Sequence, residues 1–298
     1  FSNIDVNGDS VLVRPTHLSI CNADQRYFQG TRPPEVLKKK LPMALIHEAI
    51  GEVIYDPKGD FESGQKVVMV PNTPMEEDDI VAENYLRSSK FRASGFDGFM
   101  QDIVAMRRDR VVAVPDGIDD YVAAFTELVS VSYHAIDRFD RKAHGRRNVL
   151  GVWGDGNLAF ITSLLLKKRF PESKVYIFGK HEYKMDDFVF ADETFFIDAI
   201  PEDLRIDHGF ECVGKAGSGT SINQIIDYIN PEGCIAALGV SEDPVPINTR
   251  MILEKGLTLY GSSRSSADDF RHLLQFYKEH PEVVDYLSSI IGEIVEVR

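Results

Sequence analysis

The hydrophobic pattern of the chain changes near residue 128, and this change constrains the fold more than any other feature of the sequence. Between Ser10 and Val114, short β-like runs alternate with Gly, Pro and charged residues, which is typical of a mostly-β domain. These runs are SVLVRP, GEVIY, KVVMVP, QDIVAM and RVVAVP. After Asp119, apolar residues first recur at helical spacing, and then the strand-like runs NVLGVWG, KVYIFG, HGFECVG and GCIAALG alternate with helix-like segments. The sequence therefore predicts a β-rich domain followed by an α/β domain.

Length and composition bound the class of protein. With 298 residues, of which 43% are hydrophobic, the chain is long enough for two domains. A formal charge of -14 opposes broad attraction to nucleic acid or to an anionic membrane, although a local pocket of Arg and Lys can still bind a small anion. No apolar run approaches the roughly 20 residues that span a bilayer. Three cysteines are too few for a disulfide framework. We therefore expect a cytoplasmic protein that binds neither nucleic acid nor membranes.

A glycine-rich turn marks a candidate nucleotide site in the second domain. Gly154, Gly156 and Ala159 form a G-x-G-x-x-A pattern between a β-like run and an apolar helix-like run. Such a turn lets the backbone approach a pyrophosphate, and the helix that follows offers unpaired N–H groups and a favourable dipole. The pattern predicts a dinucleotide site. A tight turn without a ligand and a methyltransferase-type nucleotide site are the alternatives.

The loop after the next predicted strand indicates which dinucleotide would bind. An NAD site usually places an acid here, on the adenosine ribose. In KVYIFGKHEYK the strand ends at Gly179, and Lys180, His181 and Lys184 follow. Cations in place of a carboxylate suit a ribose 2'-phosphate, so the loop favours NADPH over NADH. An ordinary basic surface loop is the alternative interpretation.

One thiolate, one imidazole and two carboxylates form a candidate for an open zinc site. Cys21 follows a β-like run, the pair His47-Glu48 precedes another, and Glu127 lies in the stretch with helical spacing after Asp119. Structural zinc usually has four closed ligands with several thiolates, whereas catalytic zinc keeps one position open. A nearby carboxylate such as Asp24 would orient the imidazole through its second nitrogen. A small buried cysteine and a hydrogen-bonded structural histidine are the alternatives.

Three motifs resemble those of the zinc-dependent medium-chain alcohol and polyol dehydrogenases, and the resemblance covers nearly the whole chain. Cys21-x-x-Asp24 is similar to the Cys-x-x-Asp motif of that family, and Ile46-His47-Glu48 is similar to its Gly-His-Glu. The run Thr126-Glu127-Leu128 resembles the ligand-bearing helix entry of sorbitol-type members, in which a glutamate binds the metal. The resemblance implies one catalytic zinc with the ligand set Cys21, His47, Glu48 and Glu127.

The same resemblance implies a fold. Residues 1–128 would form a GroES-like, β-rich catalytic domain, and residues 129–262 a doubly wound Rossmann domain of the α/β class. Residues 263–298 would return to the catalytic domain, and the active site would lie in the cleft. Members of the family often dimerise through an edge strand of the nucleotide sheet. The run LTLYGSS suits such an edge, so we expect a homodimer.

The sequence departs from the family pattern at three places. Ile46 replaces the glycine that usually precedes the histidine, which affects the expected local backbone geometry. The segment 72–98 has no cysteine, so a second, structural zinc is not expected. Ala23 and Arg26 replace a hydroxyl and a histidine of the family's proton relay, which leaves the proton route open.

Longer stretches resemble one group within the family, the ribulose-5-phosphate reductases of cell-wall teichoic-acid precursor synthesis. They are RPPEVLKKKLPMALIHEAIGEVIYDPKG, VVMVPNTP, SSKFRASGFDGFMQD and VWGDGNLAFIT. The resemblance implies an oxidoreductase that uses zinc and NADPH to reduce D-ribulose 5-phosphate to D-ribitol 5-phosphate for CDP-ribitol. We expect Glu48 to bind the metal transiently or to move displaced water, and Arg264 to bind the substrate phosphate. The alternatives are an NAD-linked polyol dehydrogenase and a nonenzymatic NADPH-binding protein.

Overall fold

The computed structural model describes residues 8–297, and the chain divides into two compact units. The first comprises Phe1–Ser130 and Arg264–Arg298, and the second comprises Val131–Ser263. The predicted domain bounds also include residues 1–7 and 298, which lie outside the described residues. In the described part of the chain, no helix has both the length and the apolar character needed to cross a bilayer.

The first unit is built on an antiparallel sheet and a separate short strand pair. In chain order these strands are β1 (Ser10–Ser19), β2 (Glu48–Tyr55), β3 (Lys66–Met69), β4 (Asn72–Thr73), β5 (Lys90–Phe91), β6 (Val104–Arg107) and β7 (Val111–Ala113). The larger sheet has the order β6-β1-β2-β3-β7, while β4 pairs with β5. Inward-facing residues of the larger sheet, such as Val11, Val13 and Val53, form a buried cluster around Phe99. Because side chains alternate along a strand, one face of each strand supplies this core.

The first unit also contains short helices. They are α1 (Asn22–Phe28), α2 (Pro34–Lys40), α3 (Asp120–Ala124) and the beginning of α4 (Thr126–Lys142). The helical spacing after Asp119 runs through Phe125, but the backbone breaks at this residue (φ -105°, ψ 25°). This break places Glu127 in the first turn of α4 rather than inside a longer helix.

An arginine side chain anchors the segment 72–98, which lacks cysteine. Arg110 is buried and donates to the Glu83 carboxylate over 2.6 Å. The same carboxylate accepts a hydrogen bond from the Ala267 N–H, while the Asn72 amide donates to the Glu83 carbonyl. The carboxylate of Glu83 therefore ties the segment both to Arg110 and to the C-terminal part of the unit.

The second unit is a parallel sheet with helical connections. Its strands are β8 (Val149–Trp153), β9 (Lys174–Gly179), β10 (Glu193–Phe196), β11 (His208–Glu211), β12 (Cys234–Ala237) and β13 (Thr258–Gly261). Its helices after α4 are α5 (Asn157–Arg169), α6 (Glu182–Met185), α7 (Gly217–Tyr228) and α8 (Thr249–Lys255). The strand order is β10-β9-β8-β11-β12-β13, so the chain adds strands on one side of β8 first and then on the other side. Doubly wound sheets bind ligands at the point where the order of strand addition changes in this way. Strand β10 is not among the predicted strands.

The last two helices belong to the first unit. Helix α9 spans Ala267–Glu279 and α10 spans Pro281–Ser288. Helix α9 begins with a capping box in which the Ser266 hydroxyl accepts from the Asp269 N–H and the Asp269 carboxylate accepts from the Ser266 N–H. These reciprocal bonds satisfy backbone donors at the helix start and place the residues just before it.

We expect the buried His208 to make the protein less stable as the pH falls. Its Nδ1 accepts from the Cys234 N–H at 3.0 Å, and its Nε2–H donates to the Arg146 carbonyl at 3.0 Å, which requires a neutral ring. Burial, followed by the charge of His144, lowers the pKa of His208 from 6.5 to about 4. The unfolded chain then binds more protons between these values, so stability is lost as the pH falls through this range, by about 2–3 kcal/mol.

Denaturant unfolding at pH 7.5 and pH 4.5 would measure this effect. The His208→Gln variant should be less stable at neutral pH but should lose less stability on acidification than the original protein. Equal pH dependence in the two proteins would contradict the assignment.

Candidate metal and cofactor sites

The register of two strands brings the predicted metal ligands together. In the antiparallel pair β1–β2, Ser19 lies opposite Glu48. Cys21 comes two residues after Ser19 and His47 directly precedes β2, so the two side chains meet at one end of the sheet. The distance from Cys21 Sγ to His47 Nε2 is 3.6 Å.

His47 Nε2 is the centre of the donor set. Glu48 Oε1 lies 4.0 Å from it and Glu127 Oε2 lies 3.8 Å from it. Donor atoms of Cys21, His47 and Glu48 all lie within 4.8 Å of one another. Zinc bonds of about 2.0–2.3 Å in a tetrahedron separate neighbouring donors by about 3.3–3.8 Å. The observed distances from His47 Nε2 therefore fit one zinc ion with few adjustments.

The Asp24 carboxylate contacts the backbone next to two of the predicted metal ligands. Its Oδ2 accepts from the Cys21 N–H at 3.2 Å, and its Oδ1 accepts from the Ile46 N–H at 2.9 Å. His47 Nδ1 lies 3.9 Å from Asp24 Oδ1, which is an ion-pair distance rather than a hydrogen bond. The carboxylate thus lies on the Nδ1 side of the ring, while Nε2 lies on the side of the other donor atoms.

Ile46 has a left-handed backbone, with φ 69°. This conformation is rare for a β-branched residue and costs about 1–3 kcal/mol. Asp24 holds the Ile46 N–H, and the Phe99 N–H donates to the Ile46 carbonyl at 2.6 Å. Gly98 packs so closely that an added Cβ would lie 2.3 Å from the same carbonyl oxygen. These contacts preserve the backbone turn that a glycine usually forms in the family.

Glu48 is the clearest sign that this site binds a cation. Its side chain is 1% exposed, and neither carboxylate oxygen has a hydrogen-bond partner in the described part of the chain. Burial raises the pKa of Glu48, and the Glu127 charge raises it further, although the nearby Ser19 and Cys21 oppose the rise. A divalent cation would satisfy these oxygens and stabilise the Cys21 thiolate, whose thiol pKa is raised by burial. The residues present fit zinc.

The start of helix α4 and the Arg264 loop are joined by hydroxyl groups. Ser130 Oγ donates to the Glu127 carbonyl at 2.6 Å and lies 2.6 Å from Ser265 Oγ. Since the Ser130 hydrogen is used, Ser265 is the donor between the two hydroxyls.

The carboxyl of Glu127 is affected by both burial and nearby positive charge. Burial raises the pKa of Glu127, while His47 and Arg264 oppose this rise. Arg264 has φ 59°, and its guanidinium lies 4.6 Å from the centre of the Phe91 ring.

Tyr27 is a site candidate that the sequence interpretation does not include. It lies on α1 three residues after Asp24, and only 4% of it is exposed. Its hydroxyl has no hydrogen-bond partner among residues 8–297. The Arg32 guanidinium lies 4.2 Å from the ring centre, and Lys40 Nζ lies 5.9 Å from it. The helical i, i+3 spacing from Asp24 is the sequence signal that points to Tyr27.

The glycine turn after β8 has the form that a pyrophosphate needs. Gly154 has φ 133°, and an added Cβ would lie 3.2 Å from Ala159 Cβ, so both small residues are required for packing. Gly156 instead faces open space, with nothing within 4 Å of a Cβ. It caps α5 without a side-chain hydrogen bond, which leaves backbone N–H groups at the helix start for an anion. The turn therefore fits a dinucleotide.

The basic residues after β9 lie in one short segment, in which the Lys184 N–H donates to the His181 carbonyl at 3.0 Å. Lys180 and His181 are adjacent and exposed, whereas Lys184 lies on α6 with Nζ 5.9 Å from the Tyr183 ring centre. A carboxylate does reach this loop, because Asp155 from the glycine turn accepts hydrogen bonds from Lys180 and His181. The sequence interpretation does not include Asp155, which is remote from this loop along the chain.

Glu211 is another residue that the sequence interpretation does not include. It ends β11 and is buried. Its Oε1 accepts from the Val213 and Gly214 N–H groups and from the Ser218 hydroxyl, and its Oε2 accepts from the Gly239 N–H. One carboxylate therefore fixes the loops after β11 and β12, at the carboxyl edge of the sheet where such folds bind ligands.

Comparisons with known proteins agree with this arrangement. The alcohol dehydrogenase GroES-like domain family matches residues 7–116, and the zinc-binding dehydrogenase family matches residues 182–279. A ribulose-5-phosphate reductase of Bacillus spizizenii is 60% identical, over 98% of this chain and 86% of that protein. Ribulose-5-phosphate reductase 1 of Staphylococcus aureus is 57% identical, over 100% of this chain and 87% of that protein.

Solved structures are similar over nearly the same length. The crystal structure of S. aureus TarJ in complex with NADPH has a TM-score of 0.87 at 52% identity, and covers 99% of this chain and 87% of that chain. L-Idonate 5-dehydrogenase from Escherichia coli has a TM-score of 0.80 at 22% identity, covering 92% of this chain and 81% of that one, and shows the fold alone. The predicted fold class and the resemblance read from the sequence are confirmed. The chain belongs to the ribulose-5-phosphate reductases, within the zinc-binding dehydrogenases that carry a GroES-like domain.

Proposed function

We propose that the protein reduces D-ribulose 5-phosphate to D-ribitol 5-phosphate with zinc and NADPH as cofactors. The observation that carries the proposal is the 60% identity to a ribulose-5-phosphate reductase over 98% of the chain. The buried donor set around His47 and the open glycine turn at Gly156 support it, because the reaction needs both a metal and a hydride carrier. The product would supply CDP-ribitol for teichoic-acid synthesis in the cytoplasm.

The donor set defines how the chain would prepare the ketone for reduction. Cys21, His47 and Glu127 would hold the zinc, and Glu48 would complete its coordination when substrate is absent. Bound zinc supplies positive charge that polarises a carbonyl and stabilises the developing alkoxide. When bound, NADPH would supply the hydride for the ketone carbon, and the ketone oxygen would need a proton from solvent. Asp24 would keep the His47 ring in place throughout.

The reaction itself is the first test. Oxidation of NADPH should depend on D-ribulose 5-phosphate, with D-ribitol 5-phosphate identified by mass spectrometry. D-Ribulose without phosphate, and NADH in place of NADPH, should each give a lower kcat/KM. Faster turnover of NAD with an unphosphorylated polyol would support the polyol dehydrogenase alternative, and NADPH binding without any turnover would support the nonenzymatic one.

We infer that Arg264 binds the substrate phosphate. Its guanidinium is partly buried over Phe91, and its backbone is held in a left-handed conformation beside the anchored Ser265. A strained, fixed arginine near a catalytic site is suited to an anion with several oxygens. Arg92, by contrast, is already engaged with the carbonyls of Asp97 and Ala105.

Arg264→Ala should lower kcat/KM for D-ribulose 5-phosphate by about 100-fold or more, because charge-assisted hydrogen bonds to the phosphate are lost. Turnover of D-ribulose should change much less. Zinc content provides the control, since Arg264 also faces the charge of Glu127. An equal loss with both ketoses, accompanied by lost zinc, would show that Arg264 supports Glu127 instead.

The Tyr27 hydroxyl is proposed to hydrogen-bond the bound substrate. It is buried, lacks a partner among the described residues and lies on the same helix as Asp24. Tyr27→Phe should raise KM for D-ribulose 5-phosphate by about 10-fold, the effect of one hydrogen bond, without changing the Kd of NADPH. An unchanged KM would remove Tyr27 from the substrate site. Tyr121→Phe, at an exposed tyrosine of the same unit, is the control.

A homodimer through the edge strand β13 is part of the proposal. The strand ends the second sheet and carries Leu259, while the exposed Leu253 precedes it on α8. An unpaired, partly apolar strand edge favours pairing with a second copy. Light scattering of the purified protein should give twice the chain mass, and Leu259→Lys should shift it toward the monomer.

A further inference from the structure

We propose that Asp155 is a positioning residue for NADPH, which orders the Lys180–His181 loop and thereby sets the preference for NADPH over NADH. The inference rests on the proposed NADPH-dependent function. Asp155 lies between the two glycines of the turn, where its charge would be expected to repel a phosphate rather than to help bind one.

The hydrogen bonds of Asp155 carry the inference. Its Oδ2 accepts from the Lys180 N–H at 2.8 Å, from the His181 N–H at 2.9 Å and from His181 Nδ1 at 2.8 Å. Three donors converge on one oxygen, so that oxygen is saturated. The acid of an NAD site must instead offer its oxygens to the ribose hydroxyls. Oδ2 of Asp155 is thus engaged with the loop, and this carboxylate holds the Lys180–His181 backbone.

The sheet explains why a residue of one turn reaches the next loop. Strands β8 and β9 are adjacent and parallel, with Trp153 opposite Phe178, so their carboxyl ends lie side by side. The Gly154 N–H donates to the Phe178 carbonyl. A Cβ on Gly179 would lie 3.0 Å from Asp155 Cβ, so the turn and the loop are packed without space for adjustment.

This packing decides which groups face outward. The bond from His181 Nδ1 to Asp155 fixes the imidazole, whose side chain is 49% exposed. Nε2 has no hydrogen-bond partner within residues 8–297, and because the Nδ1 hydrogen goes to Asp155, Nε2 donates to an anion only when the ring carries both of its hydrogens. With both N–H groups of the loop held by Asp155, the Lys180 side chain leaves from a fixed backbone position. The ribose 2'-phosphate of NADPH would therefore bind to a cationic loop that is already ordered. NADH has no 2'-phosphate, so the loop would add no binding free energy for it.

The experiment compares direct binding of two cofactors to the zinc-loaded protein. Calorimetry or fluorescence should show that Asp155→Asn and Asp155→Ala raise the Kd of NADPH by about 10-fold or more and that of NADH by less than about 3-fold. The fragments 2',5'-ADP and AMP differ only in the ribose 2'-phosphate. Their Kd values should therefore change in the same way as those of NADPH and NADH.

Two further variants sharpen the comparison. Asp187→Asn removes the same charge from an exposed position close along the chain and should leave both Kd values unchanged. The double variant His181→Gln/Asp155→Asn should raise the Kd of NADPH no more than the single variant with the larger effect does. The reason is that both changes disrupt the same contact.

Some results would overturn the inference. Tighter NADPH binding by Asp155→Asn would show that the carboxylate repels the phosphate. Equal weakening of NADPH and NADH, with a lowered Tm, would show that Asp155 only maintains the fold. If the unsubstituted protein itself binds NADPH no better than NADH, the proposed cofactor is wrong as well. A selective loss of NADPH binding in a protein that does not reduce ribulose 5-phosphate would uphold Asp155 and reject the proposed substrate.

Discussion

Cys21→Ala is expected to abolish zinc retention and to lower kcat/KM for D-ribulose 5-phosphate by at least about 1,000-fold. Cys21 supplies the sole thiolate of the donor set, 3.6 Å from His47 Nε2. Without it, one imidazole and two buried carboxylates remain, and neither a stable zinc site nor a polarised ketone is expected. Elemental analysis after gel filtration and steady-state kinetics would measure the two effects.

A second thiol provides the control for this variant. Cys234 is buried in β12 and its side chain takes no part in the donor set, so Cys234→Ala should keep one zinc per chain and near-normal turnover. The Kd of NADPH should not change in Cys21→Ala. A Cys21→Ala protein that keeps its zinc and its activity would contradict the assignment of the metal site.

Removal of zinc should also lower the Tm of the original protein. Glu48 and Glu127 are buried, and burial raises the pKa of each carboxyl because it disfavours the negative charge. Bound zinc compensates this charge, so the folded protein is less stable when the ion leaves. A chelator should therefore reduce the Tm by several degrees, about as much as Cys21→Ala does. The same chelator should have no further effect on the Tm of Cys21→Ala.

Gly156→Val is expected to raise the Kd of NADPH by at least about 100-fold while the fold remains intact. The backbone at Gly156 is extended (φ -102°, ψ -179°), which valine adopts readily. An added Cβ meets no atom within 4 Å, so the new side chain enters the space where a pyrophosphate would approach the helix start. The Tm should change by only a few degrees, and calorimetry would show the lost binding.

Gly145→Val is the matched control, because a Cβ at Gly145 also meets no atom within 4 Å. That variant should bind NADPH normally. Gly154 gives the opposite comparison: its φ of 133° strains any other residue, so substitution there should lower the Tm as well as cofactor binding. NADPH binding by Gly156→Val at the original Kd would mean that the turn does not hold the pyrophosphate.

Much of the fold could be predicted because hydrophobic periodicity is a local property. The alternation after Ser10 indicates strands, and β8, β9, β11 and β12 coincide with the four runs named as strands of the second unit. The break at Phe125 and the strand β10 are not predicted. The helical spacing continues through Phe125, so packing rather than the local pattern decides the break. Strand β10 contains the β-favouring residues Thr194, Phe195 and Phe196, but it is four residues long and lacks the period-2 alternation that would identify a strand.

The sequence by itself determined which chemical groups were available. It contained a single thiolate among candidate zinc ligands, an imidazole and carboxylates with the spacing of a known family, and a glycine turn between a strand and a helix. These are properties of residue type and local order, which need no knowledge of distant contacts. They were sufficient for the fold class, the family and both cofactors.

Only the tertiary structure decided which groups meet. The register of β1 against β2 places Cys21 beside His47, and it leaves the oxygens of Glu48 without partners among the described residues. Parallel pairing of β8 and β9 brings Asp155 to the basic loop, although 25 and 26 positions of sequence separate it from its two partners. Long-range pairing depends on how strands align and pack, and the side-chain pattern of one segment does not contain the position of another.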